Sequence, residues 1–132
     1  AMTTYLVGTD SVETSERLAA YVEARTVEGD TVYAVNSLVG GDSTSDEDVR
    51  DGRDALDVLE DSDVEVDGHQ LIRGNSPQED MLQFAEDHDV DEIVVGIRKR
   101  SPTGKLVFGS TAQDLLLSAE LPVVCVPLTR GS

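Results

Sequence analysis

Strand-like and helix-like segments alternate along this chain, and this alternation limits the folds it can adopt more than any other feature. Short apolar runs rich in β-branched residues are separated by stretches whose apolar residues recur at helical spacing. The strand-like segments lie at residues 4–8, 31–39, 64–67 with a continuation at 71–72, 91–96 and 121–127. Five strands interleaved with four helices form βαβ units, in which the strands are parallel and both sheet faces are covered. The sequence predicts an α/β fold in a single domain over residues 1–132.

The clearest helix start follows Gly74. Ser76 stands at the N-cap position, Pro77 at the first helical position and Glu79 three residues after the cap. This pattern is a capping box, with the proline where its missing N–H does no harm. Residues 40–47, in contrast, are polar and rich in Gly, Ser, Thr and Asp, which predicts a loop. We therefore expect one helix to begin at Pro77 and an earlier one to begin after residue 47.

The charge is strongly acidic, with 27 Asp and Glu against 10 Lys and Arg and a formal net charge of −17. An excess of this size repels nucleic acid and anionic membranes, so neither is expected as a partner. It also destabilises a compact fold at low salt, because the charges repel one another until salt screens them. The balance resembles that of proteins from salt-in halophiles, and a merely acidic protein is the alternative. On either interpretation the acidity is a surface adaptation and names no activity.

The sequence shows no membrane or export signal. No apolar run approaches the roughly 18–20 residues that cross a bilayer, and no basic segment followed by an apolar one marks a secretory signal. The single cysteine, Cys125, excludes an intramolecular disulfide and a cysteine-built zinc site. We therefore expect a cytoplasmic protein in which Cys125 is a small buried hydrophobic residue.

The connection between the fourth strand and the last helix is long and basic. It runs from residue 97 to residue 109, 13 residues where such connections usually have about 2–6. Four of the ten basic residues lie in one eight-residue window, namely Arg98, Lys99, Arg100 and Lys105. Gly109, Ser110 and Thr111 then open the helix, where free backbone N–H groups and the helix dipole form an anion site. This pattern favours a phosphate-binding loop over a capped helix with scattered surface charges.

Other catalytic and binding patterns are weak. The loop is not a P-loop, because Leu106 stands where Ser or Thr is needed, and no G-x-G-x-x-G fingerprint is present. His69 and His88, the only histidines, lie in polar surroundings, and no G-x-S-x-G nucleophile elbow exists. Asp and Glu are so plentiful that pairs of carboxylates carry no information. We predict no catalytic residues and no metal site built by protein side chains.

Asp10 directly follows the first strand. Ligands of open α/β sheets bind beyond the carboxyl ends of the strands, and a carboxylate there can accept hydrogen bonds from a ribose hydroxyl or an adenine amino group. The other interpretation is structural, with Asp10 or Ser11 as the N-cap of the first helix. The sequence leaves both interpretations open.

Together these segments resemble the universal stress protein family. The family signature G-x2-G-x9-G-[ST] is matched at Gly96, Gly109 and Ser110. Further similarity extends over nearly the whole chain, at residues 9–11, 91–96 and 121–126 and at Gly74 and Pro77. The resemblance implies a Rossmann-like parallel sheet of five strands in the order 3-2-1-4-5, with helices on both faces. It also implies ATP between the first and fourth strands, with Mg²⁺ carried by the phosphates.

The resemblance assigns roles to single residues. Asp10 would contact the adenosine, the backbone at Ser37 would border the adenine, and Gly96 would pass under the ribose and the α-phosphate. Residues 109–111 would hold the phosphates. The nucleotide-binding residues predicted in this way are Gly8, Thr9, Asp10, Ser37, Gly96, Arg98, Lys99, Gly109, Ser110 and Thr111.

Lys99 stands where the family signature has its middle glycine. Its side chain either crowds the phosphates or replaces backbone contacts with the point charge of an ammonium. Two functional classes follow. The first, favoured by Asp10 and residues 109–111, is a nucleotide-binding regulatory protein of the stress response with at most slow ATP hydrolysis. The second, favoured by Lys99, is a nucleotide-free dimeric interaction protein whose basic loop binds an acidic partner or an anion.

The resemblance further implies a homodimer formed through the last strand, Val123–Val126, and a possible regulatory protein partner. A hydrophobic strand so late in the chain is expected at a sheet edge, where a two-fold partner would cover it. The alternative is a monomer in which Pro122 and Pro127 blunt that edge.

Overall fold

The computed structural model describes residues 2–97, 99–100, 106–107 and 109–128, and for 99–100 and 106–107 the backbone alone. Its strands are β1 (Thr4–Gly8), β2 (Thr31–Leu38), β3 (Val66–Ile72), β4 (Glu92–Ile97), β5 (Lys99–Arg100), β6 (Leu106–Val107) and β7 (Val123–Pro127). Its α-helices are α1 (Val12–Arg25), α2 (Asp46–Glu60), α3 (Pro77–Asp87) and α4 (Ser110–Ser118), and a short 3-10 helix covers Gly41–Ser43.

Five parallel strands form the central sheet in the order β3-β2-β1-β4-β7. This confirms the predicted α/β architecture and its 3-2-1-4-5 order, with β7 as the fifth strand of that sheet. Strand β1 lies in the middle, and the chain runs outward from it first through β2 and β3 and later through β4 and β7. The strand order therefore reverses between β1 and β4, and this reversal opens a crevice at their carboxyl ends.

The core is divided between the two faces of the sheet. Alternation along β1 directs Tyr5 and Val7 to one face and Leu6 to the other. Helices α1 and α2 cover the Val7 face, whereas α3 and α4 cover the Leu6 face. The buried helix residues on the two faces include Leu18, Val22, Leu56 and Leu59 on the first and Met81, Phe84, Ala85 and Leu115 on the second. Each fully buried leucine contributes about 1.5–3 kcal/mol to stability.

Serine caps determine where three of the helices begin. Ser76 forms the predicted capping box with Glu79 and begins α3. Ser45 forms a second capping box with Asp48, so α2 begins at Asp46, inside the segment 40–47 that was predicted as a loop. That prediction is wrong at its end because the short carboxylate of Asp48 closes the box in place of the usual Glu or Gln.

Two further elements differ from the prediction. The segment predicted as 64–67 with a continuation at 71–72 is one uninterrupted strand, Val66–Ile72, because β2 pairs with it over its whole length. The connection 97–109 contains the antiparallel pair β5 and β6, where the sequence indicated only a loop. Strands of two residues are too short to produce a periodic pattern in the sequence.

The rings of His69 and His88 have polar partners and also aromatic neighbours that the sequence did not indicate. His69 Nε2 lies 3.2 Å from Asp67 Oδ2, and His88 Nδ1 lies 2.9 Å from the Phe84 carbonyl oxygen. Both belong to an aromatic cluster with Tyr33 and Phe84. The His88 ring stacks on Phe84 with 3.8 Å between centroids, and the His69 ring lies 5.2 Å from Phe84. Strand alternation and the last turn of α3 bring these rings together, although their sequence neighbours are polar.

No helix in the described part of the chain is long and apolar enough to span a membrane.

Candidate functional site

A cavity of about 380 Å³ opens at the carboxyl ends of β1 and β4. It lies where the strand order reverses, which is the ordinary ligand position in open α/β sheets. Eight of the ten predicted site residues line it: Gly8, Thr9, Asp10, Ser37, Gly96, Gly109, Ser110 and Thr111. The other two predictions, Arg98 and the side chain of Lys99, lie outside the described residues. The structure thus places predicted residues from four separate segments, 8–10, 37, 96 and 109–111, around one space.

Seven further lining residues were not predicted: Thr14, Val35, Pro77, Met81, Val95, Ala112 and Leu128. Most are apolar, so one wall of the cavity is hydrophobic while the wall made by Asp10 and residues 109–111 is polar. Thr14 could have been found from its position four residues after Asp10, one helical turn away. The apolar residues carry no such signal, because Val35 and Met81 have the same sequence character as the rest of the core.

The start of α4 differs from the starts of the other three α-helices. In α1, α2 and α3 a serine side chain caps the helix, and the first turn holds at least one acidic residue. The N-cap of α4 is Gly109, no side chain caps it, and its first turn holds no acidic residue. The first N–H groups of an α-helix have no partner within the helix and carry the positive end of its dipole. In a chain of net charge −17, the first turn of this helix holds no acidic residue, and Gly109, Ser110 and Thr111 line the cavity.

The two interpretations of Asp10 are separated by the geometry around α1. Ser11 is the N-cap, because its hydroxyl accepts a hydrogen bond from the Thr14 N–H at 3.2 Å. Asp10 lies one residue earlier, is exposed and lines the cavity. The Thr14 hydroxyl donates to Asp10 Oδ1 at 3.0 Å and so orients the carboxylate.

The backbone of Ser37 faces the cavity because β2 extends beyond the end of β1. The Thr9 N–H donates to the Val35 carbonyl at 3.0 Å, so Val35 directs its main-chain groups towards β1. Alternate residues of a strand direct their main-chain groups to the same side. Ser37, two residues after Val35, therefore also directs its N–H and C=O to the β1 side. Strand β1 has already ended at Gly8. The Ser37 N–H and C=O thus point past its end into the cavity that Ser37 lines.

Two glycines are packed closely against apolar side chains at the cavity. A Cβ on Gly8 would lie 2.5 Å from Met81 Cε, and a Cβ on Gly96 would lie 2.7 Å from Leu128 Cδ1. Larger residues at either position would push Met81 or Leu128 out of place. The glycines therefore allow these two apolar side chains to form part of the cavity wall.

Ionisable groups are scarce at this cavity. Among the described lining residues, Asp10 is the one with an ionisable side chain. No group of three or more His, Cys, Asp or Glu side chains in the described ranges is placed to hold a metal ion. A divalent cation here would need oxygen ligands from a bound molecule, to which the hydroxyls of Ser110 and Thr111 could be added.

The fold and the cavity together define a Rossmann-like α/β protein with a ligand site at its topological switch point. Within that class the chain belongs to the universal stress protein family, whose sequence profile, described as "Universal stress protein family", matches residues 2–127. A universal stress protein of Mycolicibacterium smegmatis is 36% identical over 100 residues, which cover 74% of this chain and 76% of that protein.

Solved structures show the same relationship. A universal stress protein from Archaeoglobus fulgidus is 39% identical, with a TM-score of 0.75, and the match covers 94% of this chain and 98% of that one. A structure of the universal stress protein from the same organism in complex with dAMP is 32% identical, with a TM-score of 0.69. That match covers 94% of this chain and 97% of the other.

Proposed function

We propose that this protein binds an adenine nucleotide in the cavity between β1 and β4 and acts as a nucleotide-dependent regulator in the stress response. The proposed ligand is ATP, with Mg²⁺ carried by its phosphates. The observation that carries the proposal is the start of α4, which lacks both a side-chain cap and an acidic residue and lines the cavity. A helix start of this kind favours an anion such as phosphate.

The remaining walls suit the other parts of the nucleotide. Asp10, oriented by Thr14, can accept hydrogen bonds from ribose hydroxyls. The apolar wall suits the faces of a purine, and the Ser37 N–H and C=O can pair with the acceptor and donor on one edge of adenine. The related Archaeoglobus fulgidus protein in complex with dAMP, an adenine nucleotide, supports this assignment.

The cavity offers little for catalysis. Asp10 is the ionisable side chain among its described lining residues, and its carboxylate accepts a hydrogen bond from Thr14. It lies with the adenosine in the proposed arrangement, away from the phosphates at α4. We therefore expect a protein whose bound nucleotide persists, with hydrolysis slow at most.

The first test is to identify and titrate the nucleotide. The protein is purified above about 1 M KCl, where the screening length is about 3 Å and the repulsion within the acidic chain is suppressed. Nucleotide released on denaturation is identified by chromatography, and ATP with Mg²⁺ is titrated into nucleotide-free protein by calorimetry. We expect an adenine nucleotide or saturable binding near one per chain. A folded sample that yields neither would contradict the proposal and favour the nucleotide-free interaction protein, to which the Lys99 substitution points.

We also propose that two copies pair through β7. This strand lies at the edge of the sheet, and Val123, Val124 and Cys125 are each only partly buried in the single chain, so Cys125 is not the buried residue that the sequence predicted. Burial raises the pKa of the Cys125 thiol, so it is a neutral group in this strand at neutral pH. A two-fold partner would satisfy the unpaired backbone groups and cover the apolar side chains.

The change Cys125→Pro tests this pairing. The Pro122 carbonyl accepts a hydrogen bond from the Ile93 N–H, and the Leu128 N–H donates to the Ile97 carbonyl. The main-chain groups of even-numbered residues along β7 therefore point to β4, and the N–H of Cys125 points away from the sheet. Proline at an outward edge position removes an N–H that the sheet itself does not use. We expect the wild type to sediment as a dimer in high KCl and Cys125→Pro as a folded monomer. Cys125→Ala keeps the N–H and is the control that should remain a dimer; a dimeric proline variant would exclude this edge.

A further inference from the structure

Asp80 is a fully buried carboxylate beside the cavity that the proposed function does not use directly. It lies on α3 next to Met81 and three residues after Pro77, both of which line the cavity. Its Oδ2 accepts a hydrogen bond from the Ser37 hydroxyl at 2.5 Å. Its Oδ1 accepts from Arg73 Nη2 at 2.9 Å and from Asn75 Nδ2 at 3.0 Å.

The ionisation of Asp80 follows from these partners. Burial by itself would raise the pKa of this carboxyl. Hydrogen bonds from Ser37, Asn75 and Arg73, together with the positive charge of Arg73, outweigh burial and lower the pKa. Asp80 is therefore an ionised carboxylate at neutral pH, fixed in one orientation because both oxygens are engaged.

The carboxylate connects two separate segments, of which the one with Ser37 lines the cavity. One oxygen holds Ser37, at the end of β2, and the other holds the connection between β3 and α3 through Arg73 and Asn75. The Gly74 N–H adds a further hydrogen bond, at 2.9 Å, to the carbonyl of Val39, the first residue after β2. These contacts hold the end of β2 at Ser37, whose main-chain groups face the cavity, and at the residue after the strand.

We propose that Asp80 is a positioning residue for recognition of the purine base, holding the Ser37 main chain at the place where it meets the base edge. This inference rests on the proposed function. The ion pair between Asp80 and the half-exposed Arg73 contributes little net stability, whereas fixed groups lower the entropic cost of binding. Adenine presents an acceptor and a donor that match the Ser37 N–H and C=O, while guanine presents the opposite pair on the same edge. A fixed Ser37 backbone therefore selects adenine over guanine.

The test compares ATP and GTP affinities, GTP being measured by competition, in the wild type and in Asp80→Asn. An asparagine side chain has nearly the same shape as aspartate, but one of its two terminal groups is an NH₂ donor. That NH₂ group would face a hydrogen-bond donor that the Asp80 carboxylate accepts from. We expect ATP affinity to fall roughly tenfold and GTP affinity to change little, because both nucleotides keep the α4 phosphate contacts. The ATP-to-GTP preference therefore shrinks by about the same factor.

Three controls keep the outcome decisive. Ser37→Ala removes only the hydroxyl that Asp80 binds and should also reduce the preference, whereas Ser37→Thr keeps a hydroxyl and should restore it. These variants decide the question if Asp80→Asn does not fold. Leu59→Ala, in the core of the opposite sheet face, lowers stability and should leave the preference unchanged. A wild type without nucleotide affinity overturns the proposed function, whereas an unchanged preference in Asp80→Asn and Ser37→Ala overturns only this inference.

Discussion

The substitution Gly109→Asp should abolish ATP binding while leaving the fold at least as stable as before. Gly109 has φ −70° and ψ 164°, a conformation open to any residue. No atom of the described residues lies within 4 Å of the position that its Cβ would take. Aspartate is a favoured N-cap and should stabilise α4 by a few tenths of a kcal/mol relative to glycine. The same carboxylate would occupy the N–H groups proposed for phosphate and would repel it. Losing two charge-assisted hydrogen bonds lowers affinity at least about a hundredfold.

The matched control is Gly109→Asn, which has the same size and capping ability but no charge. We expect it to weaken ATP binding less than aspartate does, while urea unfolding in high KCl shows similar stability for both. Calorimetry with ATP and Mg²⁺ measures binding in the three proteins. If Gly109→Asp binds ATP as tightly as the wild type, the phosphates do not lie at the start of α4, and the central observation behind the proposed function is lost.

The fold could be predicted from sequence where local signals and the global architecture agree. In a chain that alternates strands with helices, a short apolar run ending in glycine, such as Thr4–Gly8, predicts a buried strand. The end of the loop at 40–47 was predicted wrongly because the capping box of α2 uses Asp48, a less common residue at that position. The β5–β6 pair gave no signal because each strand has only two residues. Errors therefore fall where few residues determine the structure.

The polar half of the site could be predicted, and the apolar half could not. Asp10 and residues 109–111 are distinctive because their residue types bind anions and sugars at the ends of secondary-structure elements. Val35 and Met81 bury like any core residue, and only the three-dimensional arrangement shows that they face a cavity. The role of Asp80 could not be predicted for another reason. The chain has 27 acidic residues, and nothing in the sequence distinguishes the fully buried Asp80 from the exposed ones.

A buried network of side-chain amides lies between β2 and α2 and supports Thr9, which lines the cavity. Asn36 is almost completely buried, and its Nδ2 donates to the Thr9 carbonyl at 3.0 Å. Its Oδ1 accepts from Gln70 Nε2 at 3.1 Å, and Gln70 also donates to the Val49 carbonyl of α2 at 2.9 Å. The network thus connects a residue that lines the cavity to α2. Helix α2 packs against this network at Gly52, so little free space is left between the helix and the Asn36 side chain.

Gly52→Ala should therefore destabilise the protein, although alanine in a helix interior is ordinarily favoured over glycine by about 1 kcal/mol. A Cβ on Gly52 would overlap Asn36 Oδ1 and lie 2.6 Å from Asn36 Cγ and 2.8 Å from Gln70 Nε2. Because Asn36 is buried and bonded on both sides, it cannot move away without breaking a hydrogen bond. We expect the free energy of unfolding to fall by about 2–4 kcal/mol, from overpacking and a lost buried hydrogen bond.

Urea unfolding in high KCl measures this loss, with the exposed neighbour Asp51→Ala as the control that should leave stability unchanged or slightly raised. The double variant Asn36→Ala/Gly52→Ala separates the clash from a general effect on α2. Removing the Asn36 side chain removes the clash, so the double variant should be more stable than the sum of the two single losses by at least about 1 kcal/mol. If Gly52→Ala instead raises stability, as at an exposed helical position, α2 does not pack this closely on β2. In that case Asn36 is not constrained by the helix, and the support that it gives to Thr9 does not depend on α2.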